Sequence, residues 1–276
     1  MNEIFDFSRF CKYFKYDLKQ SWRSHTVAAI GIGFAGVLFY FIYHVFGLIF
    51  GGSWNGIPEE ARFMILMIAF TVLEIYQAKT YGYLTEKKAG SSWLMIPASG
   101  TEKTISMLLN TCIVFPVLFF VAFLASDWLI AILDPTIDKS IIALLVEGFR
   151  EVKTDLVAGG LGDTLSISAF PWIFMLLVSM FLNFTYFLLC GICFEKRKII
   201  SAFLIILGLS VLFSLISVPA LEYGIIGNYN FEFEDIADGQ AVAMLNHFLN
   251  WATAIVCVVN AGLIFGVWYR IKTIKH

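Results

Sequence analysis

Long runs of apolar residues, separated by short polar segments, dominate the chain. A helix needs about 20 mostly apolar residues to cross the hydrocarbon core of a bilayer. Six stretches meet this requirement and predict six transmembrane helices: 26–50, 62–83, 104–133, 171–194, 199–218 and 248–269. The third stretch is long, which predicts a tilt, a kink at Pro116 or a start in the headgroup layer. We therefore expect an all-α polytopic membrane protein with one transmembrane domain over residues 26–276.

The distribution of basic residues predicts the orientation of these helices. If the amino terminus is cytoplasmic, the inner segments contain 15 of the 19 Lys and Arg residues. The positive-inside rule then places both termini in the cytoplasm, with an inner loop at 84–103 and outer segments at 134–170 and 219–247. Within the first outer segment, residues 140–157 have the apolar spacing of an amphipathic helix. The second is acidic in its middle, and it is either a solvated loop or a segment that dips back into the outer leaflet.

The first 25 residues have an amphipathic pattern of their own. Apolar residues recur at helical spacing: Ile4, Phe7, Cys11, Phe14, Leu18 and Trp22. Basic residues lie between them: Arg9, Lys12, Lys15, Lys19 and Arg23. This pattern predicts a helix in the headgroup layer of the inner leaflet, where its basic residues meet anionic lipid. The alternative is a solvated lead; a signal peptide is excluded by the long polar start and the long span that follows.

Composition and motifs narrow the function. Hydrophobic residues make up 59% of the chain and charged residues only 14%, against about 45–50% and 25% in soluble domains. This excludes a soluble enzyme and a nucleic-acid-binding module. The string Gly31–Gly36 matches a dinucleotide-binding pattern, but it lies in a predicted span, where glycines favour close helix contact. Cys190 and Cys193 form a C-x-x-C without a second pair, so we expect no metal, no cofactor and no catalytic residue.

A polar patch within the second predicted span is a candidate site. Glu74 is ionisable and lies deep in the span, and Gln77 follows on the same helical face. Ionisable groups at this depth are costly and are usually functional. One interpretation is a polar path or a contact with a partner helix. The other is a structural pair with an amide on another span, for which three residues are available: Asn110, Asn183 and Asn260.

The inner loop at 84–103 contains a second candidate site. Ser99 and Glu102 have the spacing of a capping box, and Pro97 predicts a break just before it. The preceding apolar residues, Trp93 to Ile96, are expected to be exposed among charges. Such a surface favours either docking of a partner or anchoring at the membrane interface.

These features resemble the membrane subunit of ABC exporters of the type-2 permease class. The stretch Leu94-Met95-Ile96-Pro97-Ala98-Ser99, followed by Glu102-Lys103, is similar to a leucine-x-x-proline-alanine-serine…glutamate-lysine sequence found in bacterial permeases of this kind. The resemblance implies that a separate ATP-binding subunit docks on this region, with six candidate docking residues: Glu86, Lys87, Trp93, Pro97, Ser99 and Glu102. It also implies a second permease copy or a paralogue, a bacterial inner membrane, and re-entrant helices between the last two spans.

Under this interpretation the chain itself is not an enzyme, because the ATPase activity resides in the partner. Two other functions remain open. One is an ion-coupled transporter that uses Glu74, and the other is a membrane scaffold or immunity-type protein. The sequence leaves the transported substrate undetermined.

Overall fold

The computed structural model describes residues 5–50, 57–137, 139–147, 169–222 and 238–274. Every regular element within these ranges is helical. The helices are α1 (Phe7–Ser21), α2 (Val27–Gly33), α3 (Ala35–Ile49), α4 (Glu59–Thr80), α5 (Lys87–Leu94), α6 (Gly100–Leu109), α7 (Phe115–Leu133), α8 (Ala169–Cys193), α9 (Lys198–Glu222) and α10 (Asp238–Thr273). Single π-helical turns at Trp22–Thr26 and Asn110–Val114 join α1 to α2 and α6 to α7, and a 3₁₀ turn at Gly82–Thr85 follows α4.

Four helical segments in the described residues are long and apolar enough to cross a membrane. They are Glu59–Thr85, Gly100–Leu133, Ile173–Cys193 and Leu249–Thr273. The broken helix α2–α3, bent by 40° at Phe34, makes a fifth if its two parts form one span. The predicted all-α membrane fold is therefore confirmed with four or five such helices. The count of six and the orientation stay predictions.

Parts of the predicted outer segments lie outside the described residues. Residues 141–147 are helical, as expected for the start of the amphipathic helix predicted at 140–157. The remainder of that helix, and most of the acidic segment at 219–247, fall in ranges that the structure does not describe.

The broken helix α1–α2–α3 runs side by side with α6–α7 in the same direction. The contacts between them advance together along both chains, from Arg9 with Glu102, to Asp17 with Asn110, to Gly33 with Ala122, to Tyr40 with Asp134. Helix α1 is therefore an extension of the first broken span that lies along the start of the third. We call the end of the bundle that contains α1, α5 and the start of α6 the basal end.

Gly33 allows the close approach of α2 to α7. A Cβ atom at this position would lie 2.7 Å from Ala122 Cβ and 2.9 Å from the Phe119 carbonyl oxygen. Gly31 has nothing within 4 Å of the same position. The expectation that the glycine string serves helix contact is thus confirmed at Gly33 and not at Gly31.

Two π-helical turns lie at the same level of these paired helices. The His25 ring, in the first turn, is 6.3 Å from the Phe115 ring, which follows the second. Pro116 accounts for the second turn, because proline lacks an N–H group and its ring crowds the carbonyl of the residue four positions earlier. The disturbance expected at Pro116 is thus a widened turn immediately before it.

Helix α8 packs between α4 and α10. At Gly191 the two backbones of α8 and α4 come so close that a Cβ atom would overlap the Ala78 carbonyl oxygen. The basal end of this packing is a cluster of buried side chains from five elements: Tyr81, Leu84, Trp93, Met107, Leu188, Ile192, Val267 and Ile271. The segment at 84–103 is therefore part of the core at this end.

Candidate functional site at the basal end

Helix α5 stands between two membrane-length segments at the basal end. It begins after Glu86, which is exposed and has extended backbone angles, and it ends at Leu94. Met95 is 84% exposed, and Pro97 in the following turn is exposed as well. The break predicted at Pro97 is confirmed, because α5 has ended and α6 begins only at Gly100.

Trp93 holds α5 against the rest of the basal end. Its side chain is only 3% exposed, so the expectation that Trp93 lies on the surface is wrong. The indole Nε1 donates to the hydroxyl oxygen of Tyr13 in α1 at 3.0 Å. Lys103 contributes from the other side, donating to the Trp93 carbonyl oxygen at 3.1 Å with its ammonium 4.3 Å from the indole ring centre. The aromatic ring is thus fixed by groups from two helices.

The capping box predicted at the start of α6 is confirmed. Ser99 Oγ accepts from the backbone N–H of Glu102 at 3.2 Å, and Glu102 Oε2 accepts from the backbone N–H of Ser99 at 2.9 Å. The same carboxylate also accepts from the Asp6 backbone N–H and from the guanidinium of Arg9. Glu102 is fully buried, so its carboxylate is occupied inside the protein.

Asp17 forms the centre of a buried polar cluster between α1, α4 and α6. Its Oδ2 accepts from Ser106 Oγ at 2.6 Å, from Tyr81 Oη at 2.9 Å and from Asn110 Nδ2 at 3.0 Å. No cation in the described residues forms an ion pair with it. Burial raises the pKa of the Asp17 carboxyl, and the three hydrogen bonds only partly oppose this effect.

The 3₁₀ turn at Gly82–Thr85 is tied to the start of α9. The Lys198 ammonium donates to the Gly82 carbonyl oxygen and, at 2.9 Å, to Thr85 Oγ1. Hydrogen bonds therefore fix both the turn before α5 and the turn after it.

Three of the six predicted docking residues make internal contacts, and the other three do not take part in the contacts described above. Trp93, Ser99 and Glu102 are buried and make the contacts described above. Glu86 and Pro97 are exposed on the two sides of α5. The side chain of Lys87 lies outside the described residues. The sequence did not show which residues of this segment are accessible, and the docking role of the segment stays a prediction.

The intramembrane candidates Glu74 and Gln77 lie apart from the basal cluster. Glu74 Oε1 accepts from Asn183 Nδ2 on α8 at 3.1 Å, which is one of the three structural pairs that the sequence allowed. Gln77 is fully buried; its Oε1 accepts from Thr80 Oγ1 at 3.3 Å, and its Nε2 has no partner among the described residues.

A buried ion pair at the opposite end of the bundle escaped the sequence analysis. Arg62 Nε donates to Asp127 Oδ1 at 3.0 Å, and Arg62 Nη1 donates to the Lys139 carbonyl oxygen at 2.8 Å. Asp127 Oδ2 accepts from the backbone N–H of Ile141 at 2.7 Å. A signal was present, since opposite charges occur near the same ends of the second and third predicted spans. The pair fixes these ends to residues 139–141.

Comparison of the chain with protein-family models, with curated proteins and with solved structures gives no match. The class of protein therefore follows from the fold and the site alone. The chain is an all-α protein with several membrane-length helices, and at its basal end a short helix is fastened to the bundle by buried polar contacts.

Proposed function

We propose that the chain is the permease subunit of an ATP-driven exporter, with six spans and both termini in the cytoplasm. A separate ATP-binding subunit would dock on the segment at 84–103 and supply the energy. A second copy of the permease, or a paralogue, would complete the transport path in a bacterial inner membrane. The observation that carries this proposal is the position of α5, a short helix at the basal end between two membrane-length segments, with exposed residues beside it.

The attachment of α5 supports a role in force transmission. A docking element can move transmembrane helices only if it does not move independently of them. Trp93 binds α5 to α1 through Tyr13, and Lys103 links it to α6. The ion pair between Arg9 and Glu102 then joins α1 to α6 itself. A displacement of α5 is therefore passed to the first and third spans together.

The exposed residues beside α5 would form the contact with the partner. Glu86 precedes the helix, and Met95 and Pro97 follow it. An exposed methionine is common at surfaces that bind other proteins. Trp93, Ser99 and Glu102 would position this surface without touching the partner.

The basic residues support the proposed orientation. Lys12, Lys15, Lys19, Lys196 and Arg197 are all exposed at the basal end, which agrees with a cytoplasmic location of that end. The alternative of an ion-coupled transporter rests on Glu74, whose one hydrogen bond joins it to an amide. The proposed function assigns Glu74 to helix packing.

The test is purification of the tagged full chain from its native membrane in mild detergent, followed by identification of stoichiometric partners and an ATPase assay. We expect a soluble subunit with a Walker-type phosphate-binding loop. Glu86→Lys and Met95→Asp should each release this subunit while leaving the permease folded. Glu195→Lys is the matched control, since it reverses an exposed charge in another turn at the same end.

Two results would overturn the proposal. One is purification of the chain alone and without ATPase activity in several detergents and lipids. The other is equal retention of the partner by Glu86→Lys, Met95→Asp and the control. In the first case, loss of a pH-dependent flux in Glu74→Gln would favour the ion-coupled alternative.

A further inference from the structure

Helix α1 presents three different sides. The buried side consists of Phe10, Tyr13, Asp17 and Ser21, which recur every three or four residues. Lys12, Lys15 and Lys19 lie on the opposite side of the helix and are all exposed. No described carboxylate forms an ion pair with any of the three. The side of the helix that faces away from the rest of the protein thus presents a row of three positive charges.

The third side is apolar and lies next to the lysine row. Phe7 and Trp22 on it are 71% and 51% exposed, and Cys11 between them is exposed too. Phe14 and Leu18 on the same side are half-buried. An exposed apolar strip beside a row of lysines is typical of a helix that contacts a membrane surface.

At Trp22 the exposed surface of the broken helix changes from one that includes lysines to one that is apolar. Beyond it, the large exposed side chains of the broken helix are apolar: Val27, Phe34, Leu38 and Phe41. Lys12, Lys15 and Lys19 precede Trp22 and are exposed. At a rise of 1.5 Å per residue, Lys19 lies about 5 Å and Lys15 about 10 Å below Trp22 along the helix. Tryptophan is typical of the boundary between hydrocarbon and headgroups. Lys19 therefore lies in the headgroup layer, and Lys15 and Lys12, the latter about 15 Å below Trp22, lie within the surface potential of the leaflet, toward which their long side chains extend.

The partner helix is also long enough to extend beyond the hydrocarbon core. The segment Gly100–Leu133 contains 34 residues and is about 50 Å long, which exceeds the full bilayer thickness of about 40–45 Å. Its ends therefore reach the headgroup layers. Helix α1 runs alongside the first part of this segment, from Glu102 to Asn110.

We propose that Lys12, Lys15 and Lys19 bind the headgroups of anionic phospholipids, and that this binding holds α1 against α6 and thereby stabilises the attachment of α5. The chemistry is that of ammonium groups on phosphate, strengthened by the negative surface potential of an anionic leaflet. Lipid binding would affect the attachment of α5 through the contacts that other residues of α1 make with α5 and α6. Arg9, Tyr13 and Asp17 contact Glu102, Trp93 and Asn110, so whatever stabilises α1 stabilises these contacts.

The experiment uses the full chain in nanodiscs of phosphatidylcholine, with or without added phosphatidylglycerol, and measures amide hydrogen exchange over residues 7–21 and 87–110. We expect phosphatidylglycerol to slow exchange in both segments, on the order of tenfold at low ionic strength, and high salt to reduce the effect. K12Q/K15Q/K19Q should lose most of this difference. K196Q/R197Q/K272Q, which removes three exposed basal charges elsewhere, should keep it.

Equal exchange of the wild-type chain in the two kinds of nanodisc would overturn the proposal. So would an effect of phosphatidylglycerol that is the same in both triple variants, or one confined to residues 7–21, which would remove the link to α5. Both triple variants change exposed side chains, and their melting in phosphatidylcholine alone serves as the test of folding. The readout needs no ATP-binding subunit, so it fails or succeeds independently of the exporter assignment.

Discussion

Arg9 and Glu102 are 93 residues apart in the chain, yet the guanidinium of Arg9 contacts the carboxylate of Glu102 through both Nε and Nη2, with a shortest distance of 2.6 Å. The same carboxylate completes the capping box at the start of α6. The Glu102 side chain thus caps the start of α6 and also attaches α1 to α6. This double role explains why Glu102 is buried, whereas Glu86 in the same segment is exposed.

Substitutions at this pair should rank in a definite order. Glu102→Ala removes the cap and the ion pair and should lower the melting temperature most. Glu102→Gln keeps an oxygen for the cap but loses the charge, and it should have an intermediate effect. Arg9→Gln leaves the cap intact and should have the smallest effect of the three, because the buried Glu102 carboxylate keeps the backbone N–H donors of Ser99 and Asp6. Thermal unfolding in detergent measures the order, and Glu86→Gln on the exposed side of the segment is the control. A loss in Arg9→Gln as large as in Glu102→Ala would contradict the capping role.

Asp17 should make stability depend on pH. Burial raises the pKa of its carboxyl in the folded state, so the folded protein binds this proton more tightly than the unfolded chain does. The resulting stabilisation is complete below the unfolded pKa of about 4 and is lost as the pH rises through the raised folded pKa. Asp17→Asn cannot titrate. We therefore expect the melting temperature of the wild type, relative to Asp17→Asn, to fall from mildly acidic to neutral pH. A difference that is constant with pH would show that the carboxyl does not titrate in this range.

Trp93 and Tyr13 should be energetically coupled. Trp93→Phe removes the indole donor, and Tyr13→Phe removes the hydroxyl acceptor. Loss of the hydrogen bond should cost about 1 kcal/mol of unfolding free energy in each variant, and Trp93→Phe adds the cost of the space left in the buried cluster. The double variant should cost less than the sum, because neither partner is then left unpaired. A reversible denaturation series on the four proteins measures the coupling. Additive effects would mean that the 3.0 Å contact contributes nothing to stability.

Local patterns determined the features that could be predicted from the sequence. The cap at Ser99 and Glu102 and the break at Pro97 each depend on residues a few positions apart, and the structure confirms them. Phe7, Cys11 and Trp22 of the predicted apolar stripe and the lysines Lys12, Lys15 and Lys19 are exposed, as an amphipathic helix predicts, but the spacing did not reveal the third, buried side of α1.

The contacts that could not be predicted join residues far apart in the chain. Helix α1 is fastened by its polar stripe, Tyr13 and Asp17, whose partners lie 80 and 93 residues away. Trp93 was expected on the surface because its neighbours in sequence are charged, and it is buried by packing against elements that are distant in sequence, namely α1, α6, α8 and α10. Sequence spacing contains no information on such pairings.

The two glycines of the first broken span should respond differently to the same substitution. Gly33→Ala places a methyl group 2.7 Å from Ala122 Cβ, and separating the helices should cost about 1–3 kcal/mol. Gly31→Ala meets nothing within 4 Å and should be neutral or stabilising by up to about 1 kcal/mol, because alanine restricts the unfolded chain. Unfolding of both variants under one set of detergent conditions checks the contrast. Equal effects at the two positions would contradict the close contact between α2 and α7.

The net contribution of the Arg62–Asp127 pair to the free energy of unfolding should be smaller than the loss caused by removing one partner alone. Both side chains are 7% exposed, so Arg62→Met leaves an unpaired buried carboxylate, and we expect a loss of about 3–5 kcal/mol. Arg62→Met with Asp127→Leu removes both charges, and the loss should be smaller than in the single variant. The remaining cost is the freeing of residues 139–141, which Arg62 and Asp127 hold through the Lys139 carbonyl and the Ile141 N–H. Hydrogen exchange at Ile141 should therefore rise in both variants, even where the double variant recovers its melting temperature. An Ile141 amide that stays protected in the double variant would show that this segment is held by packing alone.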